Sequence, residues 1–370
     1  MPKKKTDPKK ILLLIVGIVV FVFVAQGVFK LAQLTPFLFE LLFKKEINLK
    51  TANHRVNILL LGIGGDNHEG PNLTDTVIFV SIPPDNKGKI ELVSIPRDLW
   101  LPDINGKINT AYATGESKRP GGGLILAKAV VRKILNKPID YAVRINFDGF
   151  EKAVDLLGGI DVNVENTFDD FEYPIESKGN DPCGHTEDEL KELATASSQL
   201  EAFPCRYKHI HFDKGMQRMN GEKSLVFVRS RHAKGKEGSD FARSKRQEKV
   251  IAAVKNKVVS LNTLANPAKV ISLYSIIKDS IDTDIKDKEL DDFIRLFGKM
   301  GKSQTESIVI DTGDSDERPG LLSIPPSGED YNFEWVLIPR MGNGDFSEIH
   351  RHVDCEIKGD NCLVPKTAVN

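Results

Sequence analysis

Apolar residues in this chain fall into short runs at two spacings, and the spacings sort the elements. RVNILLLGIGG holds an unbroken apolar run at Ile58 to Leu61 stopped by glycines, the pattern of a strand buried on both faces. TVIFVSI (76–82) and KIELVSI (89–95) read as two more strands, joined by the turn residues of PPDNKG. LILAKAVVRKIL (124–135) and FEKAVDLLG (150–158) repeat at helical spacing, with strands expected at YAVRINF and GIDVNV around the second. SLVFVRSRH is strand-like or the end of a helix, SKRQEKVIAAVKNKVVSL is a periodic helix, and WVLIPR and FSEIHRHV supply a last strand and helix. The alternation predicts an α/β fold, a mixed central sheet flanked by helices, in one domain over residues 55–353.

Two regions depart from that rhythm. ILLLIVGIVVFVFVAQGVF (11–29) has Gln26 as its one polar residue and no charge. As a helix it spans about 28 Å, close to one hydrocarbon core. Five lysines among residues 1–10 precede it, which orients the amino terminus toward the cytoplasm. The expectation is a basic cytoplasmic tail (1–10), a single transmembrane anchor (11–29), a linker or juxtamembrane helix (30–54) and an extracytoplasmic remainder. A cleaved signal peptide is the alternative, but its apolar core usually runs to about 7–15 residues. The second departure is residues 166–209, a polar, acidic excursion with two cysteines.

The net charge of −1 marks no nucleic-acid partner. Cys183, Cys205, Cys355 and Cys362 all fall in the exported part, where pairing is expected. Sequence leaves the connectivity open. Local pairs, Cys183 with Cys205 and Cys355 with Cys362, are the working choice, so that residues 354–370 form a cysteine-clamped tail. Zinc ligation competes poorly, because no C-x-x-C spacing is present.

Charges cluster where apolar runs stop. Asp66 follows the first strand, Asp75 precedes the second, Arg97 and Asp98 follow the third in SIPRD, and Arg229 and Arg231 close SLVFVRSRH. In open α/β sheets the crevice beyond strand ends is where ligands bind. Arg97, Arg229, Arg231 and Arg243 offer planar forks matched to phosphate oxygens. Asp66 and Asp75 are hard oxygen ligands of the kind that hold Mg2+, or Mn2+, beside a phosphate. The combination suits a pyrophosphate. Each residue also has a plainer role: an exposed Arg-Asp pair contributes about 0–1 kcal/mol and needs no function, Asp66 sits in a glycine-rich turn, and a basic loop near a membrane can simply touch lipid headgroups. GGG at 121–123 reads as a loop and helix start, since it fits no nucleotide-binding pattern.

NILLLG (57–62), TDT, LVSIPRDLW, KINTAYATG, PIDYAVRINFDGFEKAVDLLGGIDV, VFVRSRH and SDFARSKRQEKVI (239–251), in that order, resemble the LytR-CpsA-Psr family of bacterial cell-wall glycopolymer ligases. WVLIPRMGNGDFSEIHRHV resembles the family's closing strand and helix. The resemblance implies the family's α/β/α fold and a phosphotransferase. It would move a glycopolymer from an undecaprenyl-pyrophosphate carrier to a peptidoglycan sugar hydroxyl, forming a phosphodiester bond. By the same resemblance Arg97, Asp75 and Asp98 are catalytic, and Asp66 and Asp75 bind the metal. Lys107, Arg229, Arg231, Asp240, Arg243 and Gln247 would cradle the pyrophosphate. Leu73 and Leu99 stand where the family often has Arg. Competing readings are a polyprenyl-pyrophosphate phosphatase, with water as acceptor, and a non-catalytic envelope scaffold or regulator.

Overall fold

The computed structural model describes residues 46–65, 70–85, 88–193, 198–258, 260, 278, 280–300, 303–315, 318–360, 362 and 364. The expected anchor at 11–29 and Asp66 lie outside the described residues. Among the described residues no helix is long and apolar enough to cross a membrane. Among the strands are β1 (Val56–Ile63), β2 (Thr74–Ile82), β3 (Ile90–Ser94), β4 (Trp100–Leu101), β5 (Gly106–Lys107), β6 (Tyr141–Asn146), β7 (Ile160–Val164), β8 (Phe168–Pro174), β9 (Tyr207–Phe212), β10 (Gly215–Met219), β11 (Ile281–Thr283) and β12 (Thr305–Val309). The helices are α1 (Thr110–Lys118), α2 (Gly122–Leu135), α3 (Phe147–Leu156), α4 (Glu187–Leu193), α5 (Gln199–Ala202), α6 (Gly221–Arg229), α7 (Asp240–Val258), α8 (Leu290–Lys299) and α9 (Ser347–Lys358).

Among the described residues, 46–49 and 286–298 belong to one unit, and those within 50–285 and 299–370 to another. The first contributes most of α8, where Asp291 and Asp292 both pair with Arg295. The second holds a six-stranded sheet in the order β11-β6-β1-β2-β3-β12. β1 runs parallel to β6 and antiparallel to β2, and β12 runs parallel to β3. The mixed sheet expected from the sequence is therefore present.

One face of the sheet presents Leu59, Leu61, Val77, Phe79 and Val93 to a core closed by Val131, Ile134 and Leu135 of α2 and Ile349 and Val353 of α9. Two glycines set how closely α1 and α2 cross: a Cβ on Gly115 would lie 2.3 Å from the Gly122 carbonyl oxygen. The amides of the glycine run are not open to a phosphate, because Gly121 and Gly123 both donate to Glu116 at 3.1 Å.

A second core lies beside the sheet. The β7/β10 and β8/β9 ribbons pack Val162, Phe168, Tyr173 and Phe212 against Phe227 of α6 and Val250 of α7. The 166–209 excursion is therefore no loop throughout. Its ends are strands whose inward residues are core, and the acidic residues between them hide that periodicity in the sequence. SLVFVRSRH resolves the same way, as helix α6 ending at Arg229. WVLIPR yields just the short strand Ile338–Pro339.

Both disulfides join the local pairs, Cys183 to Cys205 and Cys355 to Cys362. Cys355 lies inside α9 rather than in a tail, since that helix continues to Lys358 before Gly359 ends it in the left-handed conformation.

Candidate active site

Strand register brings several element ends to one edge of the sheet. Ile63 pairs with Thr74 and with Asn146, so β1 and β6 end where β2 begins. Ser94 pairs with Ile78 and with Val309, so β3 and β12 end on the same side.

SIPRD turns there. The Ile95 amide still donates to the Val77 carbonyl at 3.0 Å, whereas Pro96 has no N–H to continue the ladder. The Leu99 amide then closes a turn onto the Pro96 carbonyl at 3.1 Å, leaving Arg97 and Asp98 at its two corners. Their carbonyls accept from Asn109 at 3.2 Å and Leu337 at 2.9 Å, and the Asn109 carbonyl accepts from the Thr74 amide at 3.0 Å. Backbone bonds thus tie the turn to the start of β2.

The side chains form a chain of alternating charge. Arg97 Nη1 pairs with Asp75 Oδ1. Arg97 Nε lies 3.5 Å from Asp98 Oδ2, and Lys107 Nζ lies 3.2 Å from both Asp98 Oδ1 and Glu334 Oε2. Asp75 also lines a small cleft with Thr76, Ser94, Arg243, Ser244, Gln247 and Asp311. α7 crosses the sheet face here: Ser244 shares a 3.0 Å hydroxyl contact with Ser94, and Gln247 Nε2 donates to Thr76 Oγ1 at 3.2 Å.

Of the residues expected to act, Arg97, Asp75, Asp98, Lys107, Arg243 and Gln247 are linked in this way. Arg229 is held differently: it pairs with Glu176 and lies 4.6 Å over Phe147, the residue directly after β6, and 6.0 Å over Tyr173. Burial, against the pull of Arg229, pushes the Tyr173 phenol up to about 12. Arg231 is placed by its backbone, whose amide donates to Asp170 Oδ2 at 3.2 Å. Asp240 begins α7, and its side chain lies outside the described residues, as does Asp66. Leu99 is 0 % exposed in the main core, so an arginine there would bury an unpaired cation. Leu73 folds over Gly70 instead of reaching the cleft edge as a charge.

Sequence reasoning did not single out Thr76, Ser94 and Ser244, uncharged residues inside the TDT, LVSIPRDLW and SDFARSKRQEKVI stretches, or Asp311, which lies in no such stretch; strand register and the crossing of α7 bring them together. Beside Arg243 and Gln247, the cleft offers the Asp75 and Asp311 carboxylates and three hydroxyls, oxygens of the kind a hard divalent cation takes. The charges argue the same way. Arg97, Lys107 and Arg243 are outnumbered by Asp75, Asp98, Asp311 and Glu334, so a diphosphate needs further positive charge before it is welcome.

The LytR_cpsA_psr family model matches residues 40–320. The chain belongs to this family. Among its LytR_cpsA_psr relatives, the Polyisoprenyl-teichoic acid–peptidoglycan teichoic acid transferase TagU of Enterococcus faecalis is 29 % identical over 318 residues, 80 % of this chain and 88 % of that protein. TagU of Bacillus mycoides is 29 % identical over 241 residues, 64 % of this chain and 62 % of its own length, so that match spans a little under two thirds of the relative. TagV of B. subtilis superposes with a TM-score of 0.51 at 25 % identity, covering 84 % of this chain and 100 % of its own. The Lin1025 protein of Listeria innocua shares the fold at 23 % identity and a TM-score of 0.53, covering 84 % of this chain and 100 % of its own.

Proposed function

We propose that this LytR_cpsA_psr chain transfers a glycopolymer from a polyprenyl-pyrophosphate carrier to a peptidoglycan sugar hydroxyl, forming a phosphodiester and releasing polyprenyl phosphate. It would do so outside the cytoplasm, held to the membrane by residues 11–29. The observation that carries the reading is Arg97 at the corner of a backbone-locked turn, between Asp75 and Asp98, beside an oxygen-lined cleft that also holds Arg243 and Gln247. The names of the relatives support the same substrate class.

Arg97 and Arg243 would bind the diphosphate oxygens, and Lys107, fixed between Asp98 and Glu334, would supply a further cation. Asp98 holds Arg97 and Lys107 and so positions both. Asp75, with Asp66, would hold Mg2+ or Mn2+, which would neutralise charge developing on transferred phosphoryl oxygens. Arg97, paired with Asp75 at the cleft edge, would exchange that carboxylate for the diphosphate oxygens. Attack of the acceptor hydroxyl on the sugar-bearing phosphorus would form the new P–O bond as the bond to polyprenyl phosphate breaks, the hydroxyl proton passing to the departing phosphate or to water.

The test pairs purified protein with a synthetic polyprenyl-pyrophosphate glycan, peptidoglycan and MgCl2. Parental protein is expected to yield peptidoglycan-linked glycan, and Arg97→Ala to slow that transfer by about 10³-fold with an unchanged Tm. Accumulation of free sugar phosphate in place of linked glycan means hydrolysis, and parental rates from Arg97→Ala mean the site lies elsewhere.

A further inference from the structure

β8 and β9 show their two faces to different surroundings. Phe168, Asp170, Ile210 and Phe212 point inward and are buried. Asp169, Phe171, His209 and His211 occupy the outward face, with Asp169 directly opposite His211 in register. His209 lies two residues back on the same strand face. There, His209 Nε2 and His211 Nδ1 approach a shared oxygen, Asp169 Oδ1, at 2.7 and 2.8 Å. The ligand atoms of these residues all lie within 4.8 Å of one another.

Both rings are oriented from behind. His211 Nε2 is 3.1 Å from Asp213 Oδ1, so one nitrogen is given a hydrogen-bond partner while Nδ1 faces Asp169. The His209 ring stacks on Phe171, centroids 4.1 Å apart and planes within 4°. A carboxylate behind a histidine is the usual outer support of a metal-ligating imidazole.

We propose that Asp169, His209 and His211 form a binding site for a divalent transition metal ion, zinc in the first instance. Imidazole nitrogens with one carboxylate favour zinc over magnesium or calcium, which take oxygen. The site therefore differs in chemistry from the oxygen-lined cleft at the sheet edge. Three protein ligands leave a coordination position open on the solvent side, for water or an oxygen ligand. The ion would tie β8 to β9 across the exposed face, opposite the core that joins them on the other.

Calorimetric titration of the purified full chain with ZnCl2, in excess MgCl2 to occupy oxygen sites, tests this. One zinc per chain is expected, together with a Tm rise of a few degrees at saturation. His209→Ala with His211→Ala is expected to abolish both. Asp213→Asn, which removes only the outer support, is expected to weaken binding by about 10- to 100-fold. His232→Ala, a histidine outside the cluster, is expected to bind as the parent does. These side chains are exposed, and circular dichroism checks that each variant folds. Titrating Co2+ gives a second readout, a visible band present in the parent and absent from Asp169→Asn. Parental zinc stoichiometry and affinity in the double histidine variant, or no uptake by the parent, would overturn the site.

Discussion

Two arginines, Arg97 and Arg246, show how differently this fold uses one side chain. Arg246 on α7 is 3 % exposed and saturated. Its Nε donates to the Phe227 carbonyl at 3.0 Å, Nη2 to the Ser230 carbonyl at 2.7 Å, and Nη1 to Glu237 at 2.8 and 2.9 Å. Its guanidinium lies 4.9 Å over Phe168. Arg97 is partly exposed, sits at a turn corner, and meets carboxylates on a cleft edge. A buried guanidinium held by three carbonyls and one carboxylate is closed to a phosphate, whereas a partly exposed one paired with carboxylates alone can exchange them for another anion. Fixed backbone partners make an arginine a brace; exchangeable ones make it a receptor.

The sharpest way to break this contrast is Arg246→Ala. It strands three carbonyl oxygens and the Glu237 carboxylate, and is expected to cost about 3–5 kcal/mol, read as a fall in the denaturant midpoint. If Arg246→Ala instead unfolded like the parent, the brace assignment would fail. Asp98→Ala stands between the two cases, since Asp98 is buried and holds both Arg97 and Lys107. A loss of about 1–3 kcal/mol is expected together with slowed transfer, and full stability with slowed transfer would make Asp98 purely a site residue.

Glu91 sharpens the comparison from the sheet interior. It pairs with Glu306 across β3 and β12, and burial, with that like charge, pushes its carboxyl up to about 7 from an ordinary 4.5. The folded state then binds more protons than the unfolded state between those values, so stability falls as pH rises through that window and levels off above it. The expected change is about 1 kcal/mol after solvent screening. Tm measured from pH 4.5 to 8 should show the decline in the parent and a flatter profile in Glu91→Gln.

The sheet was legible because its strands carry continuous apolar runs, and the SIPRD corner because a proline stops one of them beside paired charges. The ends of the acidic excursion were not. Asp169, Glu172 and His211 on the outward face mask the alternation of Phe168, Asp170, Ile210 and Phe212. Asp170 itself breaks the pattern, a charged residue at a core position. Arg229, Arg231, Arg243 and Arg246 look alike in sequence, because nothing local says which guanidinium will find carbonyls. The apolar run at 11–29 has the length expected of an anchor, and it lies outside the described residues.

Asp170, fully buried, accepts from the Ser230 hydroxyl at 2.7 Å and from the Arg231 and His232 amides at 3.2 Å. The acidic excursion therefore moulds the peptide that carries two of the proposed substrate arginines. Exchanging this segment between family members would transplant part of the proposed substrate-binding wall along with it, and any trimmed version has to begin beyond residue 174.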